Sequence, residues 1–272
     1  TGRLSFIYIF IVKPFHQLPP KQRPIDFVIQ SLPRPITEDP ATGWARLVWY
    51  LGPTVHLEDL CIHSGVMSAK VTPHELHTHD HEEMHITLSD NIQFTFRDPD
   101  SGEERTSAPE SGSLFFLDST IPHNSQNSGD EPTEYLHIRW RKSPPFANGR
   151  AGLHFLYRRG ARQPALSDEE PGTIEVYSGP TRFLPRLNVR YHKLSSGNAI
   201  PLHRDDHETL IVLVEGSLEI LGKTVNAPGV AFMGARIPHN LNHRGFMPAR
   251  FYGIELHHAC EGHGRQGTQI GA

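Results

Sequence analysis

Cysteine is almost absent: Cys61 and Cys260 are the only two in 272 residues. Two cysteines cannot build a disulfide framework, and free thiols are the expectation, which suits a reducing cytoplasm. Charge of one sign is also lacking. The formal net charge is −4, and Arg139-Trp140-Arg141 and Arg158-Arg159 are too short for a nucleic-acid surface, so no nucleic-acid partner is expected. Long hydrophobic runs are missing as well. The longest, Leu4 to Val12, contains Ser5 and is far too short to span a bilayer, which excludes a membrane helix there. No convincing small-x-small cleavage site follows it. Its β-branched and aromatic residues read as a strand that would aggregate if left unpaired, so it is expected to join a sheet edge.

What the chain has in quantity is proline, glycine and histidine, with 23, 23 and 19 residues. Seven prolines between residues 13 and 43 exclude long helices there, leaving room for one short strand over Ile25–Gln30. From Trp44 onward, short apolar runs alternate with turn clusters, as in Asn91–Phe96 before Asp98-Pro99-Asp100-Ser101-Gly102. That rhythm predicts an all-β chain of sandwich or barrel type with little helix.

The histidines are concentrated. The run His77-Thr78-His79-Asp80-His81-Glu82-Glu83 is followed at a distance by Pro122-His123-Asn124. On a strand, residues two apart share a face, so His77 and His79 can project side by side. A carboxylate and a histidine from a distant strand would complete a four-ligand shell suited to iron, manganese, nickel, copper or zinc. The pattern recurs as His203-Arg204-Asp205-Asp206-His207-Glu208-Thr209, followed by Pro238-His239-Asn240. Offsets of 126 residues for His77 to His203 and 116 for His123 to His239 indicate two homologous modules with loops of different length.

The stretch from His77 to Asn127 resembles the two motifs of the cupin superfamily. His77, His79 and Glu83 stand at the spacing of the first motif, and Gly112, His123 and Asn127 at that of the second. Val71, Asp90, Asp118 and Thr120 replace the motif's turn residues, so the ligand positions persist while the turns drift. The pair of modules resembles a bicupin. The resemblance implies two tandem cupin (double-stranded β-helix, jelly-roll-like) barrels, and a homodimer formed through strands such as the one at residues 4–12. The expected layout is an N-terminal arm (1–43), a metal-binding module (44–145), a linker (146–170), a second module (171–262) and a tail (263–272).

The first site is expected to hold a mononuclear divalent metal on His77, His79, Glu83 and His123, most simply Fe(II), with Zn, Mn and Ni as alternatives. His81 could substitute for His79. Strand alternation aims Glu82 away from Glu83 but keeps His85 and Thr87 on its face. His85 and Glu82 are nevertheless the candidates for moving protons. In the second module His203, Asp205 and His239 could form a 2-His-1-carboxylate set, but Thr209 stands where Glu83 stood. A degenerate module is the simpler reading. Leu136, Ile138 and Trp140 look like core, which would turn Tyr135, His137 and Arg139 outward. Were that face inward, a guanidinium beside the metal would favour a carboxylate substrate. Phe94, Phe96, Phe115 and Trp140 are expected to line the barrel.

Three functions fit: an iron(II) dioxygenase acting on a small organic substrate, which is favoured; a non-redox metal-dependent isomerase, lyase, cyclase or hydrolase; or a non-catalytic binding protein.

Overall fold

The computed structural model describes residues 27–32, 39–159 and 172–258. Leu4–Val12, expected to pair with a partner chain, and Cys260 lie outside the described residues. Among the described residues there are nineteen strands and no helix. An N-terminal strand β1 (Phe27–Ser31) precedes the first repeat, which comprises β2 (Trp44–Gly52), β3 (Asp59–Met67), β4 (Glu82–Thr87), β5 (Ile92–Arg97), β6 (Glu104–Ser107), β7 (Leu114–Leu117), β8 (His123–Asn127), β9 (Thr133–Arg141) and β10 (His154–Tyr157). The second repeat comprises β11 (Gly172–Gly179), β12 (Arg186–Leu194), β13 (Ala199–His203), β14 (Glu208–Glu215), β15 (Ser217–Ile220), β16 (Lys223–Asn226), β17 (Gly229–Met233), β18 (His239–Asn242) and β19 (Ala249–His257).

The two repeats build the same object. The first has a sheet ordered β10-β7-β4-β9-β3-β2 facing a small sheet β6-β5-β8. The second has β1-β17-β14-β19-β12-β11 facing β13-β18-β15-β16. Each strand of one large sheet has its counterpart at the same place in the other, except at one edge. There the first repeat uses β10, from the segment expected to be linker, and the second uses β1, from the N-terminal arm. β1 and β10 are therefore edge strands of the barrels.

Alternation explains why the central strands are buried on both faces. On β4, Glu82, Met84 and Ile86 face one way and Glu83, His85 and Thr87 the other, and all six are buried. Met84 and Ile86 join Leu136, Ile138 and Trp140 of β9 in a core shared with Leu210, Val212, Tyr252, Ile254 and Leu256 of the second repeat. The apolar faces of the two large sheets thus seal against each other. Trp140, expected in a barrel, belongs to this core. Phe94, Phe96 and Phe115 do fill the first barrel, with Tyr135. The opposite face of β9 is consequently interior. Tyr135, His137 and Arg139, expected outward, are 5%, 8% and 7% exposed, because the apolar face that looked like barrel core is occupied by the neighbouring repeat.

Glu82 belongs to the same junction and not to the site, which corrects its expected role in proton transfer. Trp140 Nε1 and Thr181 Oγ1 each donate to its Oε2 at 2.8 Å, and the Arg182 amide donates to Oε1 at 2.6 Å. Burial pushes this carboxyl up to about 7 against those hydrogen bonds. Its counterpart Glu208 mirrors it, accepting from the His56 amide at 3.3 Å and lying 3.1 Å from His258 Nε2. The receiving loops match too: Thr54 Oγ1 accepts from the Leu57 amide and Thr181 Oγ1 from the Leu184 amide. Each repeat therefore grips the turn that leads into the other's β3 or β12.

Candidate metal centre

Backbone pairing sets the first two histidines side by side. His77 and His123 exchange both amide–carbonyl hydrogen bonds, at 3.1 and 3.0 Å, as an isolated antiparallel bridge. His203 and His239 are the corresponding pair, joined by β13 and β18. All four rings are oriented in the same way. Nδ1 of His77, His123, His203 and His239 donates to the carbonyl two residues earlier, on Glu75, Ile121, Pro201 and Ile237, at 2.7, 2.7, 2.8 and 3.0 Å. A carbonyl only accepts, so Nδ1 carries the hydrogen and the neutral ring presents the Nε2 lone pair, the arrangement of a metal-ligating imidazole.

In the first module, Glu83 is the focus. His79, Glu83 and His123 bring ligand atoms within 4.8 Å of one another. His79 Nε2 lies 3.6 Å from Glu83 Oε2, and His123 Nε2 contacts Oε1. His77 stands at the rim of this trio. Its ring centre is 4.5 Å from that of His79 and 5.6 Å from that of His123, and the His79–His123 spacing is 5.3 Å. Imidazoles bound through nitrogen to one ion at about 2.1 Å have ring centres about 4.6 Å apart at right angles and about 5.6 Å apart at 120°. The ring spacings are compatible with one shell, but only the ligand atoms of His79, Glu83 and His123 converge, and those three residues fit a divalent metal.

The charges suit it too. Burial would raise the Glu83 carboxyl, but His123 and His137 hold it well below the usual carboxylate range. Burial lowers His79 to about 4, against the pull of Glu83, so its ring is neutral at neutral pH. For His123 burial also acts downward, but the charge and hydrogen bond of Glu83 outweigh it and raise the ring. Glu83 thus favours a proton on His123.

Behind Glu83 lies a second trio of Glu83, His85 and His137. The rings of His85 and His137 are stacked, with 15° between planes and 4.2 Å between centres. An ion in the plane of one ring would lie well out of the plane of the other, so this trio fits metal poorly. His85 is 6% exposed, its Nε2 is 3.6 Å from Glu83 Oε1, and its Nδ1 has no hydrogen-bond partner. It is thus placed beside the centre, on the face that strand alternation indicated. His81 points elsewhere, with Nε2 3.0 Å from Asp59 and Nδ1 2.6 Å from Asp80, and cannot replace His79.

In the second module His203, Asp205 and His239 also converge within 4.8 Å. Asp205 Oδ2 is 3.6 Å from His203 Nε2 and 3.4 Å from His239 Nε2. A neighbouring trio of His207, Glu255 and His257 was not singled out from the sequence. The repeat held the signal, because aligning Tyr252, Ile254 and Leu256 with Leu136, Ile138 and Trp140 sets Glu255 against Arg139. Glu255 is already compensated: Arg190 Nη1 donates at 2.5 Å and Asn188 Nδ2 at 2.7 Å. Its carboxyl sits at about 2, where the hydrogen bonds of His257 and Asn188 and the charge of Arg190 overcome burial.

No family model matches the chain, and no curated protein matches it by sequence. Solved structures do. A Pseudomonas aeruginosa protein described as glyoxylate-induced is similar over 92% of this chain and 96% of its own, at 13% identity and a TM-score of 0.63. The Ylba protein of E. coli is similar over 88% of this chain and 96% of its own, at 13% identity and a TM-score of 0.59. A salicylate 1,2-dioxygenase mutant from Pseudoaminobacter salicylatoxidans is similar over 72% of this chain and 70% of its own, at 12% identity and a TM-score of 0.52. Bacillus subtilis oxalate decarboxylase, also among the matches, covers 74% of this chain at 14% identity. At these identities the likeness is one of fold.

Proposed function

The chain has the cupin fold, all-β and in two tandem barrels, and we propose that its first module is the mononuclear metal centre of an oxygenase acting on a small organic acid. The observation that carries this reading is Glu83: a carboxylate 1% exposed and contacted by His79, His85, His123 and His137. Four imidazoles converge on this one buried carboxylate, a donor set that suits a cation. A shell of nitrogen and oxygen donors without sulfur suits Fe(II), with Mn, Zn and Ni as alternatives. Such an ion supplies Lewis acidity and, as iron, electrons for dioxygen.

The chain's own residues define the rest. His77 and His79 stand at the open rim, where a substrate would arrive. Arg139 pairs across the sheet with Glu83 and is buried on the same interior face as His137. A guanidinium there favours a substrate carboxylate, which agrees with two fold relatives that act, by name, on salicylate and oxalate. His85, beside Glu83 and unpartnered at Nδ1, is the candidate proton carrier. The oxalate decarboxylase likeness keeps a non-redox lyase as the second reading.

Anaerobic purification without added metal, elemental analysis, and oxygen-electrode and carbon-dioxide assays over a panel of aromatic and aliphatic acids test the proposal. Iron in the first module with acid-dependent oxygen uptake is the expected result. Carbon dioxide release without net oxygen consumption would move the function to the lyase reading, and a first module that takes up no metal would end both.

A further inference from the structure

The interior of the first barrel holds a line of buried polar groups that the metal shell does not use. His137 Nε2 lies 2.8 Å from Glu83 Oε2, His137 Nδ1 lies 3.2 Å from His63 Nε2, and His63 Nδ1 lies 3.5 Å from Cys61 Sγ. All four residues are buried, with exposures of 1%, 8%, 2% and 1% from Glu83 to Cys61. Hydrogen-bond roles along the line follow from its carboxylate end. Oε2 of Glu83 can only accept, so His137 donates through Nε2. Its Nδ1 then accepts from His63 Nε2, and His63 Nδ1 accepts from the Cys61 thiol.

The fold does not need this line. The register of the two large sheets sets Thr209, Gly253, Arg190 and Asn188 in the second barrel where Glu83, His137, His63 and Cys61 stand in the first. The second barrel closes equally well without it. The second barrel fills these positions with another hydrogen-bonded set, Arg190 and Asn188 on Glu255; buried imidazoles likewise need partners, and in the first barrel their line ends at the centre.

We propose that His137, His63 and Cys61 are positioning residues that fix the Glu83 carboxylate, His137 holding Oε2 while Oε1 lies against His123. The inference rests on the metal reading of that shell. It gives the Glu83 carboxylate a set orientation, and it makes the Cys61 thiol, three hydrogen bonds away, part of the same unit.

Two measurements test it. The first needs no metal: Cys260→Ser leaves Cys61 as the single thiol, and its S–H Raman band reports hydrogen bonding. A band below the free-thiol position is expected. It should move toward that position in His137→Phe, where His63 loses the acceptor that fixes its tautomer. A free-thiol band in the otherwise unchanged protein overturns the proposal. The second is zinc affinity by chelator competition in a His203→Ala/His239→Ala background that silences the other module. His137→Phe should weaken zinc about 10- to 100-fold, with His137→Gln, which keeps an N–H donor, recovering most of it. Equal affinity in a folded His137→Phe protein overturns the positioning role. Failure of the background protein itself to take up zinc would refute the metal reading instead, and the thiol band would still decide whether the line exists.

Discussion

The two barrels share strand order and the bridge that seats a histidine pair, yet their interiors diverge. On the first, β4 and β9 turn Glu83, His85, Tyr135, His137 and Arg139 inward. At the same register positions the second turns Thr209, Ile211, Phe251, Gly253 and Glu255 inward. The first interior is a polar network centred on a carboxylate ringed by imidazoles. The second is largely apolar, with Ile211, Leu213 and Phe251 in its core, and its partly buried carboxylate, Glu255, has moved one strand over and is neutralised by Arg190. A shared scaffold thus carries one carboxylate answered by imidazoles and another answered by a permanent guanidinium. The second module nonetheless keeps His203, Asp205 and His239 together with their rings oriented, and we propose a weaker metal site there.

The comparison can be broken most sharply at Glu83. Glu83→Ala should weaken metal at the first site by more than about 100-fold, since even supporting residues are worth 10–100-fold, and should leave the second unchanged. Elemental analysis against a graded chelator would show it, and full occupancy of the first site would refute the ligand assignment.

The junction offers a second contrast. Glu82→Ala strands the Trp140, Thr181 and Arg182 donors and should cost about 3 kcal/mol, whereas Glu208→Ala strands fewer and should cost about 1 kcal/mol. Urea unfolding of both variants measures the difference, and equal losses would show that the mirrored grips are energetically alike.

Acidity should act strongly on the first centre. Metal binding there must displace the proton that Glu83 stabilises on His123, so affinity should rise about tenfold per pH unit until the raised His123 value is passed, then level off. In the metal-free protein the signs are opposite for the two partners. The contribution of His123 to folding is present below the ordinary imidazole value and fades as pH rises through its raised one. That of Glu83 is present above the ordinary carboxylate value and fades as pH falls through its depressed one. Isothermal titration across pH 5 to 8 checks the metal dependence, and a flat profile would contradict the proton count.

The smallest expected effect is a gain. Thr209, 8% exposed with Oγ1 unpartnered, stands where Glu83 does. Thr209→Glu should strengthen metal at the second site about tenfold. Loss of binding instead would mean that the neighbouring Glu255 repels the new carboxylate.

The sequence by itself determined the barrels and the seats of the ligands. Turn-punctuated runs dictated strands, and the repeated His-x-His or His-x-Asp with a distant Pro-His-Asn located both histidine pairs, although His79 and Asp205 lie just beyond the bridging His77 and His203 and not on a strand. Alternation also placed His85 with Glu83 and turned Glu82 away. Only the tertiary structure decided which face of each strand is interior. Leu136, Ile138 and Trp140 looked like barrel core, and no pattern within β9 reveals that a second sheet covers them. Once that apolar face is committed to the junction, the pleat sends Tyr135, His137 and Arg139 inward, and His137 finds Glu83 on β4 and His63 on β3. Those contacts join residues 54 and 74 positions apart. Pairing between strands so distant is fixed by the closing of the barrel, which no short stretch of sequence encodes.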